Sequence, residues 1–266
     1  PDLKYLKNAL VNISKVIKKN DLIIIESTVY PGVSEDVTSK VLNRRKKFKL
    51  NKDYFLGYSP ERINPGDKKN TINNITKIVS ISSIKKKNLI CKIYNKICKK
   101  IYFMENIMEA EAAKVIENVQ RDLNIALINE IWTLFSNHTD LNTNNIIKAA
   151  STKWNFLNFK QGFVGGHCIP VDPYYLSKFA KQNKFKTELI LKGRKINNNF
   201  YKSVSANIKI KFKNIKNYSC LILGVTYKAN VADIRNSLSF SFINELSKSV
   251  KNIDFFDPFI SSKKIK

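Results

Sequence analysis

The sequence predicts an α/β protein with a long helix at its centre. Apolar runs of strand length alternate with segments of helical spacing, and residues 105–137 contain neither glycine nor proline. The alternation of strand and helix then starts again at residue 219. The predicted fold therefore has a partial α/β sheet unit, a central helical region and a partial second α/β unit.

Seven segments before residue 105 have the apolar spacing of a helix or a buried strand. In chain order they are a helix at 3–19, a strand at 22–25, a helix starting near Ser34, strands at 54–58 and 78–81, a helix at 84–98 and a strand at 101–103. Ser34 resembles an N-cap with an acidic first turn behind it. The alternation implies a mostly parallel sheet, whose ligands bind beyond the carboxyl ends of strands, where Thr28 and Glu61 lie.

The segment 105–137 predicts one long helix that is apolar around most of its girth and packed on several sides. Lys114, Asn118 and Arg121 share one face of it, which points either into a cleft or to solvent. Four further elements are a helix at 188–212, a strand at 219–223, a helix at 237–248 and a strand at 253–256. One strand-helix-strand unit makes no stable sheet alone, and no GxGxxG turn is present, so we expect the chain to be cut short at both ends.

Composition limits the classes of function. The chain has 266 residues, with 47 Lys and Arg against 21 Asp and Glu and a formal net charge of +26. This charge favours anionic partners, but it is scattered among Asn and Ile and forms no nucleic-acid module, so we expect no specific nucleic acid partner. No apolar run approaches the roughly 20 residues that span a bilayer, and no signal peptide is visible. Four cysteines without CxxC or metal-ligand spacing indicate a reduced, cytoplasmic protein without a metal site.

The segment 165–173, GGHCIPVDP, places a thiol beside two glycines and a carboxylate four residues later. Glycines allow close approach to the backbone, and the two prolines stiffen the chain after the thiol. Cys168 is either a positioned nucleophile or an inert buried sulfur. His167 has no visible triad partner, so a Cys/His hydrolase is the weaker enzymatic interpretation.

Five segments in order resemble the nucleotide-sugar 6-dehydrogenases, the family of UDP-glucose and UDP-N-acetylhexosamine dehydrogenases. They are ESTVYPG at 26–32, SPERINPGD at 59–67, EAAKVIEN at 111–118, the segment 165–175, and LGVTYK at 223–228 with DIRNS at 233–237. The resemblance implies the C-terminal part of a Rossmann-like NAD-binding domain at 1–104. It also implies a central helical dimerisation domain with the catalytic cysteine at 105–200, and the start of a Rossmann-like UDP-binding domain at 201–266.

The resemblance also implies site residues. The catalytic residues would be Cys168 as the thioester-forming nucleophile, Lys114 and Asn118 at the oxyanion, and Asp172, Glu61 and Thr28 around the reacting water. The NAD contacts would be Ser27, Thr28 and Arg235. The UDP-sugar contacts would be Glu61, Arg62, Lys114, Asn118, Phe159, Gly162, Phe163, Gly165, Tyr227 and Lys228. Three of these have simpler interpretations, as a helix N-cap or turn (Asp172), a surface salt bridge (Glu61) and a plain surface residue (Arg235).

The predicted reaction is an NAD-dependent, two-step oxidation of the C6 alcohol of a UDP-N-acetylhexosamine to the uronic acid. Pro65 stands where the glucose branch commonly has a second glutamate, and the segments 30–32 and 120–124 resemble the N-acetylhexosamine branch. UDP-glucose is the second candidate substrate, and a homodimer through the central helix is expected. Two non-catalytic hypotheses also stay open, which are an inactive remnant that retains dimerisation or nucleotide-sugar binding, and nonspecific polyanion binding.

Overall fold

The computed structural model of this chain describes residues 2–63, 69–136, 138 and 140–260. Its helices are α1 Lys4–Val16, α2 Val33–Lys46, α3 Lys87–Tyr94, α4 Ile107–Ser136, α5 Thr143–Ala150, α6 Asp172–Gln182, α7 Glu188–Lys211 and α8 Leu238–Ser247. Its strands are β1 Asp21–Ile25, β2 Tyr54–Tyr58, β3 Thr76–Ile81, β4 Lys100–Met104, β5 Ser219–Leu223 and β6 Asn252–Phe256. The chain divides into two compact units, one of residues 1–117 and 174–186 and one of residues 118–173 and 187–266. The three-part division at 1–104, 105–200 and 201–266 stays a prediction.

The first unit contains a four-stranded sheet in the order β1-β2-β3-β4. Strands β1 and β2 pair in parallel, as do β3 and β4, because helices α2 and α3 carry the chain back between them. The central β2 is buried along its whole length, and Leu10, Leu42 and Leu56 lie in the core around it. Since β1 and β2 run the same way, the segments after them, with Thr28 and Glu61, leave the same edge of the sheet.

The sheet is mostly parallel, as predicted, and strand β3 is the exception because it pairs with β2 in the antiparallel sense. A parallel neighbour needs a crossover connection, usually a helix, and the described residues between β2 and β3 contain none. The first residues of β3 therefore lie at the edge from which the segments after β1 and β2 leave. Helix α2 also starts differently from the prediction, because Gly32 takes the N-cap position and Ser34 is already helical.

The second unit combines the later part of α4 with α5, α7 and a parallel two-stranded sheet, in which α8 connects β5 to β6. Helices α5 and α6 were not predicted. The short α5 begins after Asn142, whose side chain accepts a hydrogen bond from the Asn145 N–H. Helix α6 has Pro173 in its first turn, where the missing N–H costs nothing. Among the described residues, no helix is both long and apolar enough to cross a membrane.

The long helix predicted at 105–137 is confirmed as α4. It is not packed on every side, because Leu127 and Leu134 are 54% and 60% exposed. With Ile146 of α5 and Phe156, these two leucines line an apolar groove within the second unit. The groove is therefore a surface of the central region that another apolar surface could cover.

Candidate active site

Cys168 lies in a turn immediately before α6. Its carbonyl oxygen accepts hydrogen bonds from the Val171 N–H at 3.0 Å and from the Asp172 N–H at 2.9 Å. These bonds fold residues 168–172 into one helical turn, with Pro170 and Pro173 restricting the backbone around it. The residue is exposed. The interpretation of Cys168 as a buried core sulfur is therefore wrong, because its turn holds it at the surface of the second unit.

Asp172 turns its carboxylate toward α4. The side chain is only 2% exposed, and its Oδ2 accepts a hydrogen bond from the Asn118 Nδ2 at 2.5 Å. A buried carboxylate needs such donors, because burial without them is costly. Asn118, Asp172 and Cys168 are thus brought into one neighbourhood, the first pair by side chains and the second by the backbone.

The glycine pair before Cys168 packs against the segment after β5. A Cβ on Gly165 would lie 2.7 Å from the Tyr227 Cβ, and one on Gly166 would lie 2.7 Å from the Tyr227 ring. Gly166 has a φ of +86°, its N–H donates to the Arg235 carbonyl at 2.9 Å, and its carbonyl accepts from the Asn236 Nδ2 at 2.9 Å. Close approach and left-handed backbone both require glycine here. The second unit therefore places the thiol turn beside Tyr227 and Arg235.

The guanidinium of Arg235 binds both carboxylate oxygens of Asp233, with Nε–Oδ1 and Nη2–Oδ2 distances of 3.0 and 2.6 Å. This guanidinium lowers the pKa of Asp233 to about 2. Burial raises the pKa of Tyr227, with smaller contributions from the charges of Asp233 and Cys168. The side chain of Arg235 is 63% exposed, so both its simple surface role and its predicted cofactor contact remain compatible with its position.

The predicted substrate loop 159–165 is anchored by a buried amide. Asn129 on α4 accepts from the Gly162 N–H at 2.9 Å and donates to the Gly162 carbonyl at 3.1 Å. Phe163 packs its ring on Phe200 and Phe242, at centroid distances of 6.1 and 5.6 Å. Phe159, which opens the loop, is half-buried. The loop is therefore tied to α4, α7 and α8, and its contacts with a substrate stay a prediction.

In the first unit, Glu61 comes after β2 and receives two backbone hydrogen bonds. Its Oε1 accepts from the Arg62 N–H at 2.7 Å and from the Ile63 N–H at 2.6 Å. Arg62 itself donates to the Thr76 carbonyl at 2.6 Å and forms an ion pair with Glu117 at 2.7 Å. Glu61 does take part in a salt bridge, as its simpler interpretation requires, but the partner is a buried lysine. The rest of that motif, residues 64–67, lies outside the described residues.

The remaining predicted residues lie on α4 and in the segments after β1 and β5. Lys114 on α4 is only 7% exposed, so its side chain does not belong to a solvated face, unlike the exposed Arg121 two turns further on. Thr28 is half-buried and Ser27 exposed in the segment after β1, and Lys228 is half-buried after Tyr227. The predicted residues are thus divided between two units, and their convergence in one pocket stays a prediction.

Comparison with known families decides the identity of the fold. Residues 1–98 match the NAD binding domain of the UDP-glucose/GDP-mannose dehydrogenase family, residues 108–199 match its central domain, and residues 221–266 match its UDP binding domain. The chain belongs to the UDP-glucose/GDP-mannose dehydrogenase family. The predictions of an NAD-binding domain, of a UDP-binding domain and of the fold class are confirmed by these matches.

Relatives within the UDP-glucose/GDP-mannose dehydrogenase family include UDP-N-acetyl-D-glucosamine 6-dehydrogenase from Salmonella typhi, 44% identical over 271 residues, which cover 100% of this chain and 64% of the relative. Protein CapL from Staphylococcus aureus is 44% identical over 262 residues, covering 97% of this chain and 62% of CapL. Among solved structures, UDP-D-ManNAc dehydrogenase from Pyrococcus horikoshii superimposes with a TM-score of 0.85 at 31% identity, covering 100% of this chain and 65% of that one. The chain therefore spans less than two thirds of the length of these relatives.

The described residues fit part of the NAD that this family implies. The hydroxyls of Ser27 and Thr28, at the edge where β1 ends, suit the ribose or carboxamide groups of a dinucleotide. The diphosphate needs free backbone N–H groups at a helix start. At the start of α2, the N–H groups of Gly32 and Ser34 are already bound by the carboxylate of Glu111. These residues thus fit the sugar or nicotinamide end and not the diphosphate.

Sequence reasoning missed four residues that support the site, which are Lys77, Glu111, Asn129 and Asn236. Glu111 lies within a family motif and binds the loop before α2. In the sequence, however, it cannot be distinguished from a solvent-exposed glutamate of a helix. Asn236 gives a weak signal, because asparagine is favoured where φ is positive, and its φ is +53°. Lys77 and Asn129 carry no local signal, since only tertiary contacts distinguish them.

Proposed function

We propose that this chain is part of an enzyme that uses NAD to oxidise the C6 alcohol of a UDP-N-acetylhexosamine to a carboxylate. One observation carries the proposal. The exposed thiol of Cys168 lies on a turn joined to Asp172 and Asn118 on one side and to Tyr227 and Arg235 on the other, in a chain that matches NAD-binding and UDP-binding domains.

The chemistry needs a nucleophile because the alcohol loses two hydrides. The first oxidation removes a hydride and a proton and leaves an aldehyde. The thiolate of Cys168 adds to its carbonyl carbon, the oxygen takes a proton, and a thiohemiacetal forms. Loss of the second hydride and the hydroxyl proton leaves a thioester. Water then adds, the carbon–sulfur bond breaks, and the carboxylate and thiol are released. NAD supplies the hydride acceptor for both oxidations.

The roles of the other side chains follow from charge and burial. Lys114 is a buried cation, which suits stabilisation of the alkoxide from which hydride is lost and of the oxyanion that forms when water attacks the thioester. Asn118 holds Asp172 and has an amide to offer the same oxygen. Asp172 and Glu61 are the carboxylates that can take a proton from water, and Thr28 has a hydroxyl to orient it.

Binding of the substrate and of NAD uses further residues of both units. Tyr227, Lys228 and the loop 159–165 are proposed to bind the diphosphate of the UDP-sugar, with Lys228 as the point charge. Glu61, Arg62, Lys114 and Asn118 would contact the sugar. Ser27, Thr28 and Arg235 would contact NAD.

The choice of an N-acetylhexosamine rests on relatives. The Salmonella protein is named for UDP-N-acetyl-D-glucosamine, and the Pyrococcus structure is named for the mannosamine derivative. UDP-glucose remains the second candidate, because the family description includes it. We place the reaction in a reducing compartment such as the cytoplasm, since all four cysteines are free.

We also propose a homodimer through the central helix. Leu127 and Leu134 lie two turns apart on α4 and leave an apolar groove exposed, and surfaces of this kind mark interfaces. In light scattering of the full-length protein, Leu134→Lys should lower the mass from dimer to monomer. An unchanged dimer in Leu134→Lys and in Leu127→Lys would place the interface elsewhere.

The activity is tested with the full-length protein, NAD and a panel of UDP-sugars. We expect two NADH per uronic acid formed, with N-acetylhexosamines preferred over glucose. Cys168→Ser should make no uronic acid through a thioester, whereas Cys220→Ser, a free cysteine in β5, serves as the matched control. Failure of the wild-type protein to turn over every UDP-sugar would refute the proposal, and normal uronic acid production by Cys168→Ser would refute the thioester.

A further inference from the structure

A buried lysine lies beside the carboxylate of Glu61. Lys77 is on β3 and only 1% exposed, and its Nζ lies 3.8 Å from Glu61 Oε2 and 3.7 Å from Glu26 Oε1. The same ammonium lies 5.7 Å from the centre of the Tyr94 ring. A lysine ammonium is almost never fully buried without partners, so two carboxylates and an aromatic face account for its position.

The antiparallel direction of β3 explains how the three charges meet. Glu26 comes after β1 and Glu61 after β2, at the same edge of the sheet. Strand β3 runs opposite to β2, with Gly57 opposite Ile81. Continuing that register beyond Tyr58 brings Glu61 to the position opposite Lys77. In a parallel β3, the residue at this position would lie at the other edge.

The two carboxylates are held in different ways. Glu26 Oε1 accepts a hydrogen bond from the Tyr94 hydroxyl at 2.6 Å, and burial together with this bond raises the pKa of Tyr94. Glu61 Oε1 is held by the backbone N–H groups of Arg62 and Ile63, which leaves Oε2 toward Lys77. The carboxylates are 54% and 50% exposed while the cation is buried. The positive charge of Lys77 is therefore buried beneath this edge of the sheet, while the Glu61 carboxylate stays accessible to solvent.

We propose that Lys77 is a positioning residue that holds the Glu61 carboxylate in the orientation needed to activate water in thioester hydrolysis. This inference rests on the proposed function. Lys77 itself does not reach the substrate, because its side chain is buried behind Glu61. Among the described contacts, removal of Lys77 would leave the Glu61 carboxylate held through Oε1 only. Loss of such orientation lowers rates by about 10- to 100-fold.

The test compares Lys77→Met with Lys77→Arg in the full-length protein. In a single turnover with NAD and the UDP-sugar, we expect Lys77→Met to accumulate the acyl adduct on Cys168, seen by intact-protein mass spectrometry. Thioester hydrolysis should slow about 10- to 100-fold, while KM changes less than about threefold. Lys77→Arg should recover most of the rate because it keeps the charge. Lys85→Met removes an exposed lysine of the same unit and is the control.

A second variant covers the case in which Lys77→Met does not fold. In Lys77→Gln with Glu26→Gln, the buried cation and one carboxylate are removed together, so the net charge of the cluster is unchanged. Slow hydrolysis should persist in this double variant. Hydrolysis at the wild-type rate in either folded variant would overturn the inference while the proposed function stands. A wild-type protein that oxidises no UDP-sugar would instead refute the proposed function.

Discussion

A buried ion pair gives the sharpest stability prediction for the second unit. Arg194 on α7 and Asp122 on α4 are 2% and 0% exposed, with Nη1 2.5 Å from Oδ1. The perturbation is Arg194→Met, which keeps much of the side-chain volume and removes the charge. Among the described residues, Asp122 Oδ1 then keeps only the hydrogen bond from the Asn197 Nδ2 at 2.7 Å.

The size of the destabilisation depends on the charge of Asp122 that is left behind. Removing one member of a buried pair destabilises by about 3–5 kcal/mol, because the remaining charge is buried alone. The pair itself is imperfect, since Asp122 Oδ2 and Arg194 Nε are buried without a hydrogen-bond partner among the described residues. Asp122→Asn with Arg194→Met removes both charges and should therefore lose only about 1–2 kcal/mol. The double variant is thus expected to be more stable than the single one.

The pH dependence has a definite sign. Burial raises the pKa of Asp122 above its ordinary value of 3.8, although Arg194 and Asn197 oppose the shift. A raised native pKa gives stability that is complete below 3.8 and lost as the pH rises through the native value. Arg194→Met removes the strongest opposing charge, so its deficit should be largest near neutral pH. We expect it to shrink as the pH falls toward 4.

Urea unfolding followed by tryptophan emission measures the effect in the right unit. Both tryptophans, Trp132 and Trp154, belong to the second unit, and Trp132 packs edge-to-face on Phe200 at 5.3 Å. Lys195→Met changes the neighbouring exposed residue of α7 and is the matched control. A loss below about 1 kcal/mol in Arg194→Met would refute the reasoning, as would a double variant no more stable than the single one.

Three further predictions concern the loops of the second unit. Asn129→Asp replaces the amide donor to the Gly162 carbonyl with a buried carboxylate, so we expect UDP binding to weaken about tenfold in calorimetry. Gly166→Ala forces a side chain into left-handed backbone against the Tyr227 ring and should cost about 2 kcal/mol or more in urea unfolding. Backbone N–H groups lower the pKa of Asp257, so its stabilisation is present above 3.8 and lost as the pH falls through the lower native value. Asp257→Asn should therefore lose about 1–2 kcal/mol at neutral pH, and this loss should shrink as the pH falls below 3.8.

For each of these three variants, a substitution elsewhere in the second unit serves as the control. Asn124→Asp changes an amide of α4 that bonds only the Gln120 carbonyl of its own helix among the described contacts, so equal loss of UDP affinity would contradict the loop argument. A Cβ at Gly162 meets no atom of the described residues within 4 Å, so an effect of Gly162→Ala as large as that of Gly166→Ala would exclude the contact as the cause. Asp254→Asn alters an exposed carboxylate of β6, and a matching pH profile would show that net charge is responsible.

The helices and strands were predictable because burial requires a local pattern of apolar residues. Ile23 and Ile25 of β1 are buried, and β2 is buried throughout, as apolar runs between helical segments require. The direction of a strand leaves no such local pattern, because nothing in the residues of β3 distinguishes a parallel from an antiparallel strand. It depends on whether a helix crosses back before the strand, and residues 59–75 were too polar and irregular to show one. The position of Lys77 beside Glu61 was therefore not derivable from the sequence.

The motifs indicate the chemistry, and contacts between residues on different elements set its geometry. Asn118 and Asp172 are 54 positions apart, and Gly166 and Asn236 are 70 apart, so only the fold decides that they meet. Each contact joins a motif residue to a polar partner on another element, and such a bond has a fixed length and direction. Substitution of a partner should therefore move a reactive group without altering its chemical identity. That is why Lys77, which carries out no step itself, should change thioester hydrolysis more than substrate affinity.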